Sequence, residues 1–351
     1  MTNFLAWLAA LVGLASPGAE PAVPAADVQR PVRLTVAASG DLLIHSPVAQ
    51  RAFSLGGGRG YDFAPLFAPV RRRIARADVA LCHMETPLVP GPVQGYPSFR
   101  TPPDLARSVR RVGWDVCSTA SNHSLDAGEY GVGTTLRALR RAGVRATGSA
   151  RSARDRRRTT MLRVRGVPVA FLSYTAVSNG QAVPHPWTVN WASSGLILSD
   201  ARRARRRGAR IVIVNLHWGS EYVQPVTPQQ RALARRLTRS PAIDAIVGQH
   251  AHVVQPIRRV NGKPVVFGEG NLISNQTAAC CAMAAQDGLI ALIDFVVRPD
   301  RHVRARRIRY VPTWVRHPDL TVLPAAPGSP SWNRTVRVAG RRPGIRPLAP
   351  R

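Results

Sequence analysis

Residues 210–219 read RIVIVNLHWG, an apolar, β-branched run that closes on His217. It is the strongest strand signal in the chain and predicts a strand over 210–216. Residues 196–207 before it and 228–239 after it read as helices, the second opened by Pro228 at its first turn. Further out, residues 33–39, 78–82, 115–120, 167–174, 243–247 and 264–267 read as strands. Residues 63–77, 104–112 and 132–142 read as helices: Leu136, Leu139 and Ala142 share one face, and Gly143 follows as a stop signal. Such alternation predicts the α/β class, a mostly parallel sheet with helices packed on it. Residues 288–297 and 304–311, joined by the turn-like 298–301, predict a hairpin that extends a second sheet.

His217 is one of several polar residues that end predicted strands. Asp41 and His45 lie in SGDLLIH, Glu85 in CHMETP, Asn122 and His123 in SNHSLDAG, and His250 and His252 in GQHAHVVQP. Residues at the carboxyl ends of successive strands converge in space, however far apart they lie in sequence. Each stretch alone has a plainer reading. Gly-Asp after a strand is commonly a turn, Glu85 can be a loop acid, and SNHSLDAG can be a turn that satisfies its own backbone. A lone His217 would ordinarily be a packed residue that Trp218, Glu221 or Tyr222 orients. The His-Ala-His pair is the most specific signal: on extended backbone its two imidazoles point to opposite sides and can serve two metals. Five such stretches in order predict a site for two divalent cations. Mixed oxygen and nitrogen ligands suit Mn, Fe, Zn or Co about equally.

The chain has 351 residues, 45% of them apolar, and a formal net charge of +30. Lys263 is the only lysine, so arginine carries nearly all of that charge. Aromatic residues are 6% and do not interleave with the basic runs, which argues against specific nucleic-acid binding. A basic exterior of this kind holds a polyanion by electrostatics, so an anionic cell-wall or capsule polymer is the expected partner. Residues 4–15 form an apolar stretch of signal-peptide length, with small residues at Val23-Pro24-Ala25 suited to cleavage. Residues 1–31 are therefore read as a signal-like segment and linker, and the protein as secreted, or membrane-anchored by that segment if it is uncleaved. The four cysteines form no C-x-x-C pair; Cys82 and Cys117 read as buried thiols, or as a disulfide if the protein is exported. Residues 177–195 form an irregular loop with two tryptophans, a candidate cleft rim. Residues 323–351 are rich in Pro, Gly and Arg, and disorder is expected there.

The order GD…H, E-T-P, NH-x-x-D-x-G, HWG-x-E-Y, G-x-H-x-HVVQP and G-x-GN-x-I-S-NQ resembles the CapA family of capsule (poly-γ-glutamate) synthesis proteins. That family looks like a branch of the calcineurin-like metallophosphoesterase fold, and the resemblance implies a sandwich of two mixed β-sheets flanked by helices over 32–322. It implies one metal on Asp41 and His252, the other on Asn122, His217 and His250, Glu85 as the bridge, and His123 as general acid. His45, Asp126, Glu221 and Asn271 stand as further ligands or as supports for ligands. The sequence departs from the pattern at Glu85, where an aspartate is usual, at His45, displaced from D-x-H spacing, at Cys82-His83-Met84, and at Gly268-Glu269-Gly270-Asn271. The expected activity is two-metal hydrolysis of a phosphoester or amide in an anionic polymer such as poly-γ-glutamate. The alternative is a non-catalytic binding or export factor for such a polymer.

Overall fold

The computed structural model describes residues 30–300 and 302–350; the signal-like stretch 4–15 and its cleavage point lie outside them. In chain order the first strands are β1 (Val32–Leu42), β2 (Val79–Met84), β3 (Val116–Ser118), β4 (Arg145–Thr147), β5 (Thr160–Val164), β6 (Val167–Thr175), β7 (Ile211–His217) and β8 (Ala245–Gln249). Then follow β9 (Ile257–Val260), β10 (Lys263–Val266), β11 (Asn271–Ile273), β12 (Asp287–Val297), β13 (Val303–Arg316), β14 (Thr321–Pro324) and β15 (Ile345–Pro347). The helices are α1 (Ser46–Leu55), α2 (Ala68–Ala75), α3 (Asp104–Val112), α4 (Gly128–Arg141), α5 (Ala153–Arg156), α6 (Ser194–Arg206), α7 (Pro228–Arg239) and α8 (Pro330–Ala339).

Two mixed sheets result. One runs β14-β13-β12-β1-β2-β3-β4, with β11 added on β1 and β15 on β13; the other runs β5-β6-β7-β8-β10-β9. Strands β1 to β4 are mutually parallel, as are β6, β7, β8 and β10. Side chains alternate across each strand and so sort into layers. Leu34, Val36 and Ala38 of β1 meet Val169 and Phe171 of β6 and Ile211 and Ile213 of β7 between the sheets. The intervening residues face outward: Ala37, Ala80 and Cys82 pack beneath α1, α2 and α3, and Val212, Val214 and Leu216 beneath α6 and α7. Full burial contributes roughly 1.5–3 kcal/mol for each large aliphatic side chain. The sandwich of two mixed sheets flanked by helices, expected from the resemblance, is the architecture found.

Several expectations are corrected. The hairpin β12–β13 does not extend a second sheet: β12 pairs antiparallel with β1, with Val36 opposite Ile293, so it completes the first. The helix expected over 63–77 divides into a 3₁₀ turn (Ala64–Phe67) and α2, because Pro69 removes a backbone donor at the junction. Residues 323–351 are not disordered over their described length. Ser331, Thr335 and Ala339 form the buried stripe of α8, Arg334 makes a bidentate pair with Asp287 at 2.6 and 2.9 Å, and β15 pairs with β13. Composition concealed that helix because two of its three stripe positions are hydroxylated residues. Cys82 and Cys117, register partners on β2 and β3, are joined as a disulfide, as are the adjacent Cys280 and Cys281.

Candidate metal centre

Register places the site. Asp41 near the end of β1 stands opposite His83 of β2, and His83 opposite Ser118 of β3; in the other sheet His217 stands between Thr175 and Gln249. The ends of both parallel sets thus lie level. Gly40 is required for this: β1 passes so close to the Gly270 carbonyl that a Cβ would overlap it, and the Asp41 N–H donates to that carbonyl at 3.0 Å. The Asn122-His123 turn is anchored by Ser121, whose hydroxyl donates to the Glu85 carbonyl at 2.6 Å, and by Ser124, which donates to the Thr119 carbonyl at 2.8 Å.

His250 and His252 are not on extended backbone. Their φ angles are +88° and +55°, a left-handed region that costs of order 1–3 kcal/mol each in a non-glycine residue and persists where surroundings over-determine it. The kink still separates the rings. His252 Nδ1 lies 3.3 Å from Asp41 Oδ2, and its Nε2 lies 3.7 Å from Glu85 Oε1. The His250 ring sits 4.6 Å from that of His217, whose Nε2 is 2.8 Å from Asn122 Oδ1 and 4.0 Å from Glu85 Oε1. Asp41, Glu85, Asn122, His123, His217, His250 and His252 are therefore one buried cluster.

The electrostatics of the cluster are unusual. Both oxygens of Asp41 and both of Glu85 are buried without a hydrogen bond, and so is His250 Nδ1. Burial first, then the Asp41 charge, pushes the Glu85 carboxyl well above its ordinary range. Burial drives His45 and His83 down to about 4, His250 to about 3 and His217 well below its usual value. Burial also pulls on His252, but the Glu85 and Asp41 carboxylates outweigh it and lift that imidazole to about 10. Neutral imidazoles keep a lone pair free, and uncompensated buried carboxylates are costly. Candidate ligand atoms of Asp41, Glu85 and His252, of Asp41, His83 and His217, and of Glu221, His250 and His252 lie within 4.8 Å of one another in each set. Donor set and orphaned atoms together fit divalent cations.

The remaining expected residues divide. His123 Nδ1 is 2.8 Å from Asp126 Oδ2, and Asp126 is itself fixed by the Phe99 N–H at 2.7 Å and the Gln181 amide at 2.8 Å. Asn271 Oδ1 is 3.0 Å from His252 Nδ1, so it orients that ring. Glu221 is exposed at the mouth. His45 is not brought into any of the three sets: it is half-buried, its Nδ1 accepts the Asn275 N–H at 3.2 Å, and its ring abuts Phe99. Sequence reasoning missed His83, two residues before Glu85, whose Nε2 is 2.9 Å from His217 Nδ1. Period-two spacing on a strand would have flagged it. From His83 a buried polar chain continues through Ser118, Ser173, Asn215 and Gln249 to Glu269. The loop 177–195 reaches the site through Asn179, which accepts from the Asn122 amide at 3.0 Å.

A family model described as bacterial capsule synthesis protein PGA_cap matches residues 35–276. The chain is 29% identical over 178 residues to capsule biosynthesis protein CapA of Bacillus anthracis, covering 49% of this chain and 43% of that protein. It is 30% identical over 181 residues to PGA biosynthesis protein CapA of Bacillus subtilis, covering 51% and 47%. A probable polyglutamine synthesis accessory protein of Mycobacterium tuberculosis is 31% identical over 190 residues, half of each chain. The chain thus spans about half the length of the curated relatives it matches. Among solved structures it is similar to the calcineurin-like phosphoesterase YfkN of Bacillus subtilis (14% identity, TM-score 0.49, 88% of this chain and 96% of that one). A phosphatase from Mycoplasma pneumoniae is similar at 11% identity and TM-score 0.48, over 80% and 93% of the two chains.

Proposed function

The chain belongs to the CapA family of bacterial capsule synthesis proteins, and from that premise we propose that it is a two-metal-dependent hydrolase. Its substrate on this reading is a phosphoester or amide bond in an anionic cell-surface polymer such as poly-γ-glutamate. The observation that carries the proposal is the set of four buried carboxylate oxygens, on Asp41 and Glu85, that accept no hydrogen bond, with His217 and His250 pushed toward the neutral form beside them and His252 alone pulled toward protonation by both carboxylates. Asp41 and His252 would hold one cation, Asn122, His217 and His250 the other, and Glu85 would bridge them. Bound there, two divalent cations supply Lewis acidity and offset charge that develops in the transition state. Asn271 keeps the His252 ring in orientation, and His83 does the same for His217. Asp126 fixes His123 through Nδ1, which leaves Nε2 to carry the proton that the leaving group needs. The basic exterior concentrates an acidic polymer at the mouth. The paired cysteines support an oxidising, extracytoplasmic setting.

The test is metal content and turnover of purified wild type, His250→Ala and His123→Ala. The expected result is about two equivalents of transition metal in wild type, fewer in His250→Ala, and full metal with turnover lowered ~10²–10⁴-fold in His123→Ala. No bound metal after reconstitution with Mn and Zn would sink the mechanism. Salt-sensitive polymer binding without metal-dependent turnover would favour the second reading, a non-catalytic polymer-handling factor, which the +30 charge supports.

A further inference from the structure

Buried polar side chains form one hydrogen-bonded line behind the metal centre, and its direction can be read from its far end. His217 of β7, His83 of β2, Ser118 of β3, Ser173 of β6, Asn215 of β7, Gln249 of β8 and Glu269 beyond β10 are each no more than 1% exposed, so bulk water does not compete for their links. The line passes from the first sheet to the second between Ser118 and Ser173. Glu269 sets its sense. The Gln249 amide nitrogen can only donate, and it donates to Glu269 Oε2 at 2.6 Å. That turns the Gln249 oxygen toward Asn215, whose own amide nitrogen donates to it at 2.6 Å. The Asn215 oxygen is left to accept the Ser173 hydroxyl proton, at 3.3 Å.

A hydroxyl has one proton to give. With that of Ser173 committed, Ser173 accepts from Ser118 at 2.5 Å; Ser118, its own proton spent, accepts from His83 Nδ1 at 3.0 Å. His83 therefore carries its proton on Nδ1. The other nitrogen of a neutral imidazole is an acceptor, so across the 2.9 Å contact His217 Nδ1 donates to His83 Nε2. Asp41 Oδ1, 3.8 Å from that Nε2, is beyond hydrogen-bond reach. His217 is left with a bare Nε2, 2.8 Å from Asn122 Oδ1. Asn122 is turned the same way by its amide, which donates to Asn179 at 3.0 Å. Two acceptors thus face each other, an arrangement that a shared cation relieves. We propose that Ser118, Ser173, Asn215, Gln249 and Glu269 fix the tautomer of His217, holding it in the Nδ1–H form with its Nε2 lone pair aimed at the cation site. They are positioning residues, and Glu269 is the anchor that keeps both amides from turning over. That purpose rests on the cation site of the proposed function; the line itself exists in the metal-free chain and is tested there.

The test is nitrogen-15 NMR of metal-free, histidine-labelled full-length protein near neutral pH, where protonated and bare ring nitrogens give separate signals. His217→Gln and His83→Gln identify the two rings by loss of their signals. Wild type should show both rings neutral and protonated on Nδ1. Ser173→Ala removes the acceptor of the Ser118 proton, so Ser118 should donate back to His83 and both rings should switch to the Nε2–H form. Zinc affinity, read by competition with a chelator, should fall about 10–100-fold in that variant. Glu269→Met, which takes away the anchor, should move the same signals the same way. Glu269→Gln still offers an oxygen to Gln249 and should keep the wild-type pattern. A purely structural role would lower melting temperatures without exchanging the ring protons. Nε2–H on His217 in wild type, a doubly protonated His83, or unchanged ring signals in Ser173→Ala or Glu269→Met would overturn the proposal, whatever the metal content. The expected tautomers in a wild type that takes up no Mn or Zn would support the line and sink the metal reading alone.

Discussion

Asp41 and Asp200 are almost equally buried, at 0% and 2% exposure, and opposite in what surrounds them. Asp200 accepts hydrogen bonds from Arg156, Arg203 and the Tyr174 hydroxyl, at 2.7, 2.6 and 2.8 Å. Asp41 accepts none, and its nearest cationic neighbour is the His252 imidazole. A buried carboxylate must be compensated, and this chain is abundantly equipped to do so with arginine. Yet among the described residues no arginine pairs with Asp41 or Glu85; only histidines approach them. The contrast separates two uses of one residue type. Asp200 is finished by its own chain and holds structure together. Asp41 is left incomplete by its own chain, and a cation from solution is what the proposed function would add to it.

Three substitutions can break or sharpen that contrast. The largest effect is expected at Asp200→Asn, which leaves two partly buried guanidinium groups short of an acceptor. It should cost about 3 kcal/mol, the low end for a broken buried ion pair, in urea unfolding with or without metal. An intermediate effect is expected at Asp41→Asn, with the opposite signature. The metal-free chain should lose less than Asp200→Asn does, because the Asp41 oxygens have no hydrogen bond to lose. The stabilisation that wild type draws from metal, about 2.7 kcal/mol at a hundredfold excess over Kd, should vanish. Melting curves with and without Mn or Zn read this directly, and an undiminished response in the variant would erase the distinction. The smallest effect belongs to Glu269→Gln. Burial pushes the Glu269 carboxyl well above its ordinary range, which favours its neutral form, and its one hydrogen bond is accepted from the Gln249 amide at 2.6 Å. Exchange for a neutral isostere should change stability by less than about 1 kcal/mol. A loss of several kcal/mol would mean that Glu269 is ionised and belongs with Asp41.

The sequence disclosed the parts of the site that are local. A strand followed at once by Asp, His or Asn is visible in a window of ten residues, and Asp41, Asn122, His217, His250 and His252 were all found that way. What it concealed depends on pairings between distant segments. Nothing near Leu289 says that β12 lies on β1, because that register joins residues about 255 apart, as Val36 and Ile293 do. The helix α8 escaped because its buried stripe is built from small and hydroxylated residues, which hydrophobic periodicity does not count. His83 escaped for a different reason: it lies within β2 rather than past its end, and shares a face with Glu85 only once the strand is known. The backbone kinks at His250 and His252 are likewise set by tertiary surroundings and carry no sequence mark.

The placement of β1 also bears on how the protein comes into being. Among the described strands the first to be made, β1, is a central one, flanked on one side by β2 and on the other by β12, made some 250 residues later. Until that late strand exists, the free side of β1 is an open edge, a template for any stray chain. The Asp41 amide also waits for the Gly270 carbonyl, and the His252 ring for Asn271. The cluster of candidate ligands is therefore among the later features a nascent chain can assemble. A product that ends before Asp287 carries every candidate ligand and still cannot close the sheet that aligns them. Under the proposed function, cations would be held only by a chain whose synthesis has run past β12.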